Sequence, residues 1–182
     1  MFNVAREINY SNLIFHNSVC NGISISNIIS EIEDKIKVQP LNTYVLTVGT
    51  DSQVIQTGTR FVSAIHLHRV GKGAWAWRMK TFHRRPINNL KEKILTECFL
   101  TQNIMIKLVS QNIYDKVADI IIPHIDKGAN FIFKPHVDIG LKGETKTMVT
   151  QIDEMFKSIG FDVVIKPYSY TASSYANKYT KF

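Results

Sequence analysis

The sequence predicts a mixed α/β fold, a single sheet with helices packed on it, on three observations. An early run, Tyr44 to Thr50, is apolar and β-branched enough for a buried central strand. Two further strand patterns follow, joined by Gly71-Lys72-Gly73, a hairpin signal. After them a long amphipathic helix, a strand, a helix and a strand alternate, which is the pattern of β-α-β crossings that build parallel pairs.

The elements are justified in order. Ile23 to Ile36 reads as a helix, because Ile25, Ile28, Ile29, Ile32 and Ile36 fall on one stripe, with Ser24 or Ser26 as its cap. A seam at Gln39-Pro40-Leu41-Asn42 separates it from the strands. Phe61 to Val70 and Ala74 to His83 are the hairpin strands, and Trp75, Trp77 and Met79 share one face of the second, as core residues do. Leu90 to Gln111 is the long amphipathic helix, and Asp115 to Ile125 a shorter one limited by Pro123. Phe131 to Ile139 is a fourth strand, flawed by Pro135, which has no N–H to give a ladder. Thr145 to Ser158 is a helix stopped by Gly160, and Phe161 to Lys166 a fifth strand closed by Pro167. A short terminal helix is expected from Tyr170 onward.

Composition narrows the class. The 182 residues are 45% hydrophobic, enough for a sizeable core, and divide into a helical extension (1–40) and one domain (41–182). No apolar run reaches the roughly 18 residues of a membrane span, so no membrane partner is expected. The first ten residues, with Arg6 and Glu7, lack a signal-peptide core, and Cys20 and Cys98 have neither metal nor disulfide-framework spacing; a reducing cytoplasm is the expected compartment. A net charge of +7 suits a polyanionic partner, nucleic acid above all, and equally an ordinary soluble surface. Oligomeric state is not readable from any of this.

Three acids stand where this architecture brings strand ends together. Asp51 follows Gly49-Thr50 at the end of the first core strand, and Asp138 ends the fourth. In a sheet whose first and fourth strands are parallel neighbours, those ends are adjacent, where open α/β sheets carry their sites. Glu97 falls in the middle of the apolar stripe of Ile94, Thr101, Ile104 and Leu108 at about 100° per residue, while Glu92 falls on the solvent side. A carboxylate aimed at a sheet is unfavourable unless a cation or donor receives it. Taken singly, each acid also fits a bland role, Asp51 or Asp138 as a turn residue and Glu97 as a buried ion-pair partner. Jointly they form a set of hard oxygen donors suited to Mg²⁺ or Mn²⁺. Phosphodiester hydrolysis uses two such ions roughly 3.5–4 Å apart, flanking the entering and leaving oxygens. The six histidines make no zinc pattern: His66 and His68 share a strand face without a third ligand, and His136 shares one with Asp138.

Four strings occur in a telling order: Val48-Gly49-Thr50-Asp51-Ser52-Gln53; Lys93-Ile94-Leu95-Thr96-Glu97; His136-Val137-Asp138-Ile139-Gly140 with Gly143 and Thr145; and Lys166-Pro167-Tyr168-Ser169-Tyr170-Thr171-Ala172-Ser173-Ser174 followed by Ala176-Asn177-Lys178. Together, over residues 41–182, they resemble the ribonuclease-H-like YkuK family, a bacterial and phage group. The resemblance implies a ribonuclease-H-like mixed five-stranded sheet of order 3-2-1-4-5 flanked by helices. It also implies a site at Asp51, Glu97 and Asp138, with metal held by these three. The family usually has an aspartate where this chain has Asn177. Asparagine can coordinate through its carbonyl oxygen, but it removes one negative charge and cannot act as a base. The expected cofactor is therefore Mg²⁺ or Mn²⁺, two ions, or one in view of Asn177.

Between Arg78 and Lys93, six cations (Arg78, Lys80, Arg84, Arg85, Lys91, Lys93) face the one acid Glu92, and Lys166, Lys178 and Lys181 face no acid from Val163 on. These segments suit a phosphate backbone, or an edge guarded against aggregation. The expected nucleic-acid contacts are Ser52, Gln53, Arg84, Arg85, Lys166, Ser169, Ser173 and Lys178, the serines also fitting helix caps. The expectation is a metal-dependent nuclease hydrolysing RNA, RNA–DNA hybrid or structured DNA. The alternative is a catalytically silent nucleic-acid-binding or scaffolding protein of the same fold.

Overall fold

A computed structural model describes residues 13–140 and 144–171. The first helix, α1 (Ile25–Val38), is capped by Ser24, whose hydroxyl accepts from Asn27 N at 3.2 Å. This decides between the two candidate serines. Strand β1 (Thr43–Ile55) follows, then β2 (Gly58–Arg69) and β3 (Gly73–His83). Helix α2 (Leu90–Ser110) starts at Asn89, whose side chain accepts from Glu92 N at 2.9 Å. Helix α3 (Ile113–Ile121) runs into a 3₁₀ segment, Ile122–Lys127, where Pro123 ends the α-helical ladder. Strand β4 (Asn130–His136) precedes a 3₁₀ turn, Glu144–Met148, and the last helix, α4 (Val149–Lys157).

Among the described residues the sheet has four strands in the order β3-β2-β1-β4, with β1–β2 and β2–β3 antiparallel and β1–β4 parallel. The expected fifth strand is reduced to a parallel bridge between His136 and Val164. Val164 N donates to Pro135 O and Val137 N to Val164 O, both at 2.9 Å. One ladder step earlier, residue 135 would have to donate to residue 162, and Pro135 has no N–H to give. One step later the register has already slipped, because Lys166 N donates to Ile139 O at 2.8 Å instead of to residue 137. The segment 161–166 thus lies beside β4 without becoming a strand of the sheet.

Two other boundaries shift. β4 ends at His136, before Asp138. β1 runs well past Asp51, since its ladder with β2 persists to the Ile55–Gly58 pair at a two-residue turn. Glycine is required at position 58: a Cβ there would sit 2.2 Å from His83 O and 2.6 Å from the Phe82 ring. The terminal helix expected from Tyr170 onward lies outside the described residues beyond Thr171.

The helices pack on one face of the sheet. Glu31 of α1 accepts from Trp77 Nε1 at 3.1 Å, Thr101 of α2 reaches Thr50 of β1, Tyr114 of α3 lies against Phe133, and Met155 O of α4 accepts from Gln102 of α2. The stripe Ile25, Ile28, Ile29, Ile32 and Ile36 enters the same core cluster as Tyr44, Leu46, Val48, Ile65 and Leu67. Trp77 and Met79 are buried in it, and Trp75 packs at its margin under Lys35 and Arg69.

Candidate carboxylate site

Strand alternation sorts β1 into two faces. Thr50 and Ser52 point to α2, while Thr47, Gly49, Asp51 and Gln53 belong to the opposite face. Helix α2 is fastened to β1 by hydroxyls. Thr101 Oγ1 donates to Thr50 Oγ1 at 3.0 Å, and Thr50 Oγ1 lies 2.9 Å from Ser63 Oγ of β2. Glu97, one helical turn before Thr101, receives a hydrogen bond from Ser52 Oγ at 2.5 Å. Glu97 is only 6% exposed, in the apolar stripe where the sequence places it. Burial pushes its carboxyl up to about 8; the Ser52 hydrogen bond opposes this, Asp51 adds to it, Lys93 opposes it, and Asp138 adds to it again.

The β1–β4 register ends two residues before both Asp51 and Asp138. The last pair is Gly49 with His136; carried two residues further, the same offset would set Asp51 opposite Asp138, at the point where β4 has ended and β1 continues. That end of the β1–β4 pair is the notch beside which both aspartates stand in the sequence. Both lie close enough to act electrostatically on Glu97, which enters from the helical side. Among the described residues, no three His, Cys, Asp or Glu side chains close around a single ion position. The donor set nevertheless suits a hard divalent cation: three carboxyl groups, with Asp138 Oδ1 buried and lacking a hydrogen bond. Lys166 Nζ stands 3.0 Å from that oxygen, near enough for an ion pair but out of line for a hydrogen bond.

The other expected contacts are dispersed. Ser52 is buried and donates to Glu97; Gln53 is half-buried on the face of Asp51; Arg84 is exposed; Arg85 is exposed and paired with Glu92. Ser169 is fully buried. Gly143, Ser173, Asn177 and Lys178 lie outside the described residues.

Sequence reasoning missed a cluster beside the notch. Tyr170 sets its ring edge-on to His136 at 4.6 Å and to His66 at 5.3 Å, with His68 at 6.5 Å. Thr171 N donates to His136 Nδ1 at 3.2 Å, and the Thr171 and Thr47 hydroxyls are 2.5 Å apart. Burial, then neighbouring positive charge, lowers His66 and His136 to about 4, so both rings are neutral near pH 7. The cluster docks Tyr170 and Thr171 onto the sheet two residues from Asp138. Its only sequence signal was the shared strand face of His66 and His68; the cross-sheet register that adds His136 is not a local property.

A sequence model for proteins described as ribonuclease H-like matches residues 27–181, from inside α1 almost to the end. The chain belongs to the ribonuclease H-like family. It is 37% identical over 168 residues to the "Uncharacterized protein YkuK" of Bacillus subtilis (strain 168), across 92% of this chain and 97% of that one. No solved structure matches. Membership in the ribonuclease H-like family agrees with the mixed sheet and its parallel β1–β4 pair, although the sheet has four strands instead of five among the described residues. No helix among the described residues is long and apolar enough to cross a membrane.

Proposed function

We propose that this ribonuclease H-like protein is a Mg²⁺- or Mn²⁺-dependent nuclease that hydrolyses phosphodiester bonds in RNA, RNA–DNA hybrid or structured DNA. What supports this reading is that Asp51 and Asp138, both just past the last β1–β4 pair, each act electrostatically on the buried Glu97. Asp51, Glu97 and Asp138 would hold the cation, with Asn177 at the fourth position of the family motif. When bound, such a cation supplies an activated water and charge stabilisation at the phosphate. The chain's own part is positional. Ser52 fixes the Glu97 carboxyl, Thr101 and Thr50 fix the turn of α2 that carries it, and the sheet register fixes the two aspartates. Arg84, Lys91 and Lys80 are exposed cations on β3 and the following loop and helix start, where they would meet the phosphate backbone. Both described cysteines are free thiols, in keeping with action in the cytoplasm.

A panel of labelled nucleic acids with Mg²⁺ or Mn²⁺ tests this reading. We expect cleavage that disappears on chelation and falls at least about a hundredfold in Asp51→Asn, the scale on which loss of a metal-held catalytic group is felt. Cleavage equal in Asp51→Asn and wild type, or none from either, sinks it. The second reading, a catalytically silent binder, is favoured by Asn177 and by the cation already seated at Asp138. It expects salt-sensitive binding of the same nucleic acids that survives Asp51→Asn, with no turnover.

A further inference from the structure

We propose that Lys166 is the resident counter-ion of the carboxylate notch: it neutralises Asp138 while no divalent cation is bound, and moves to a phosphate of the nucleic acid once one is. The inference rests on the nuclease reading and extends it to the protein's state before catalysis. Three features of the Lys166–Asp138 contact carry it. The ammonium lies 3.0 Å from Asp138 Oδ1 yet leaves that buried oxygen without a hydrogen bond, so it supplies charge without a directional hold. The lysine side chain is 53% exposed against 22% for the aspartate, so the pair is screened and easily exchanged. The backbone, by contrast, is pinned: Lys166 N donates to Ile139 O at 2.8 Å, and four residues on, Tyr170 is packed on His136. A fixed Cα with a flexible four-carbon stem lets the ammonium swing between two partners without any movement of the sheet.

The electrostatics give the swing its direction. With Asp51 and Asp138 both acting on Glu97, the notch favours a cation; Lys93 acts on Glu97, and Lys166 is the cation that stands against Asp138. Asp138, if it held a doubly charged ion, would lose its hold on the ammonium, which would be repelled from the same oxygen. A phosphodiester drawn to that site then offers the displaced ammonium an anionic oxygen at the rim. Lys166 thus opposes premature cation binding and favours substrate binding, through one side chain.

The test uses the full chain, with Mn²⁺ binding followed by titration calorimetry and binding of a short RNA–DNA hybrid followed by anisotropy in Ca²⁺. We expect Lys166→Met to bind Mn²⁺ about threefold to fivefold more tightly than wild type, the range open to an exposed ion pair. It should also bind hybrid more weakly, with a log–log salt slope smaller by about one. Lys166→Arg keeps the charge and should track wild type in both. A purely structural lysine would leave Mn²⁺ affinity unchanged or lowered in Lys166→Met and only lower the melting temperature, which overturns the inference. Tighter Mn²⁺ binding with unaltered hybrid binding overturns the phosphate half of it. If wild type binds Mn²⁺ no better than Asp51→Asn does, the nuclease reading fails first and the inference falls with it.

Discussion

Glu97 is the residue at which stability and chemistry oppose each other. Its carboxyl is held up near 8, against an ordinary value of 4.5, chiefly by burial. A raised acid binds its proton more tightly folded than unfolded. Its contribution to stability is therefore complete below about pH 4.5 and is lost progressively as pH rises toward 8. Glu97→Gln retains an acceptor for Ser52 and cannot ionise. In metal-free protein, we expect the melting temperature of Glu97→Gln relative to wild type to climb between pH 5 and 8 and then level off, as followed by calorimetry. A difference that stays flat across that range would mean Glu97 is ionised in the fold already. The inward aim of Glu97 was legible in the sequence, because helical phase is a local property. Its partner was not: Ser52 rather than Asp51 receives Glu97, because strand alternation turns consecutive residues to opposite faces.

At the scale of elements, Pro135 separates a strand from a segment that only lies alongside one. The proline was visible as a flaw from the sequence alone. Its effect was not, because that depended on which side of β4 the missing N–H would face. It faces the 161–166 segment, whose ladder consequently stops at one bridge. In Pro135→Ala a donor is restored opposite residue 162, and we expect slower amide exchange at Val164 and at the new residue 135 amide by NMR. Unchanged exchange at Val164 would show that some other feature, such as the slip at Lys166, limits the pairing. The hairpin at Gly71-Lys72-Gly73 was read correctly because glycine at positive φ has a local signature; Gly71 and Gly73 adopt φ of 74° and 118°. The extension of β1 to Ile55 lacked so plain a signal and was missed.

For the whole molecule, the isoleucine stripe of α1 and the sheet form one core. Ile32 is fully buried there, and the ribonuclease H-like match itself begins at residue 27. We expect Ile32→Ala to lower the stability of the entire chain by about 2–5 kcal/mol, in one shifted denaturation transition. Loss of α1 helicity in a separate, earlier transition would instead mark α1 as an independent unit. The α/β class and the order of the first four strands could be read without a structure because they follow from periodicity and order. The closeness of Lys166 to Asp138 and the aromatic dock of Tyr170 could not, since they join positions 28 and 34 residues apart along the chain through contacts made only after the sheet is built.

The register between β1 and β4 has a consequence for how errors are detected during folding. A slip of one residue would turn Phe133 away from the core and Lys134 into it, and would move Asp138 to the helical side, out of step with Asp51. Core packing and the acid pair are thus encoded by the same offset. A chain that has buried Phe133 correctly has also set Gly49 against His136, two residues before each aspartate. The apolar layer proofreads the polar one, and the notch needs no alignment signal of its own.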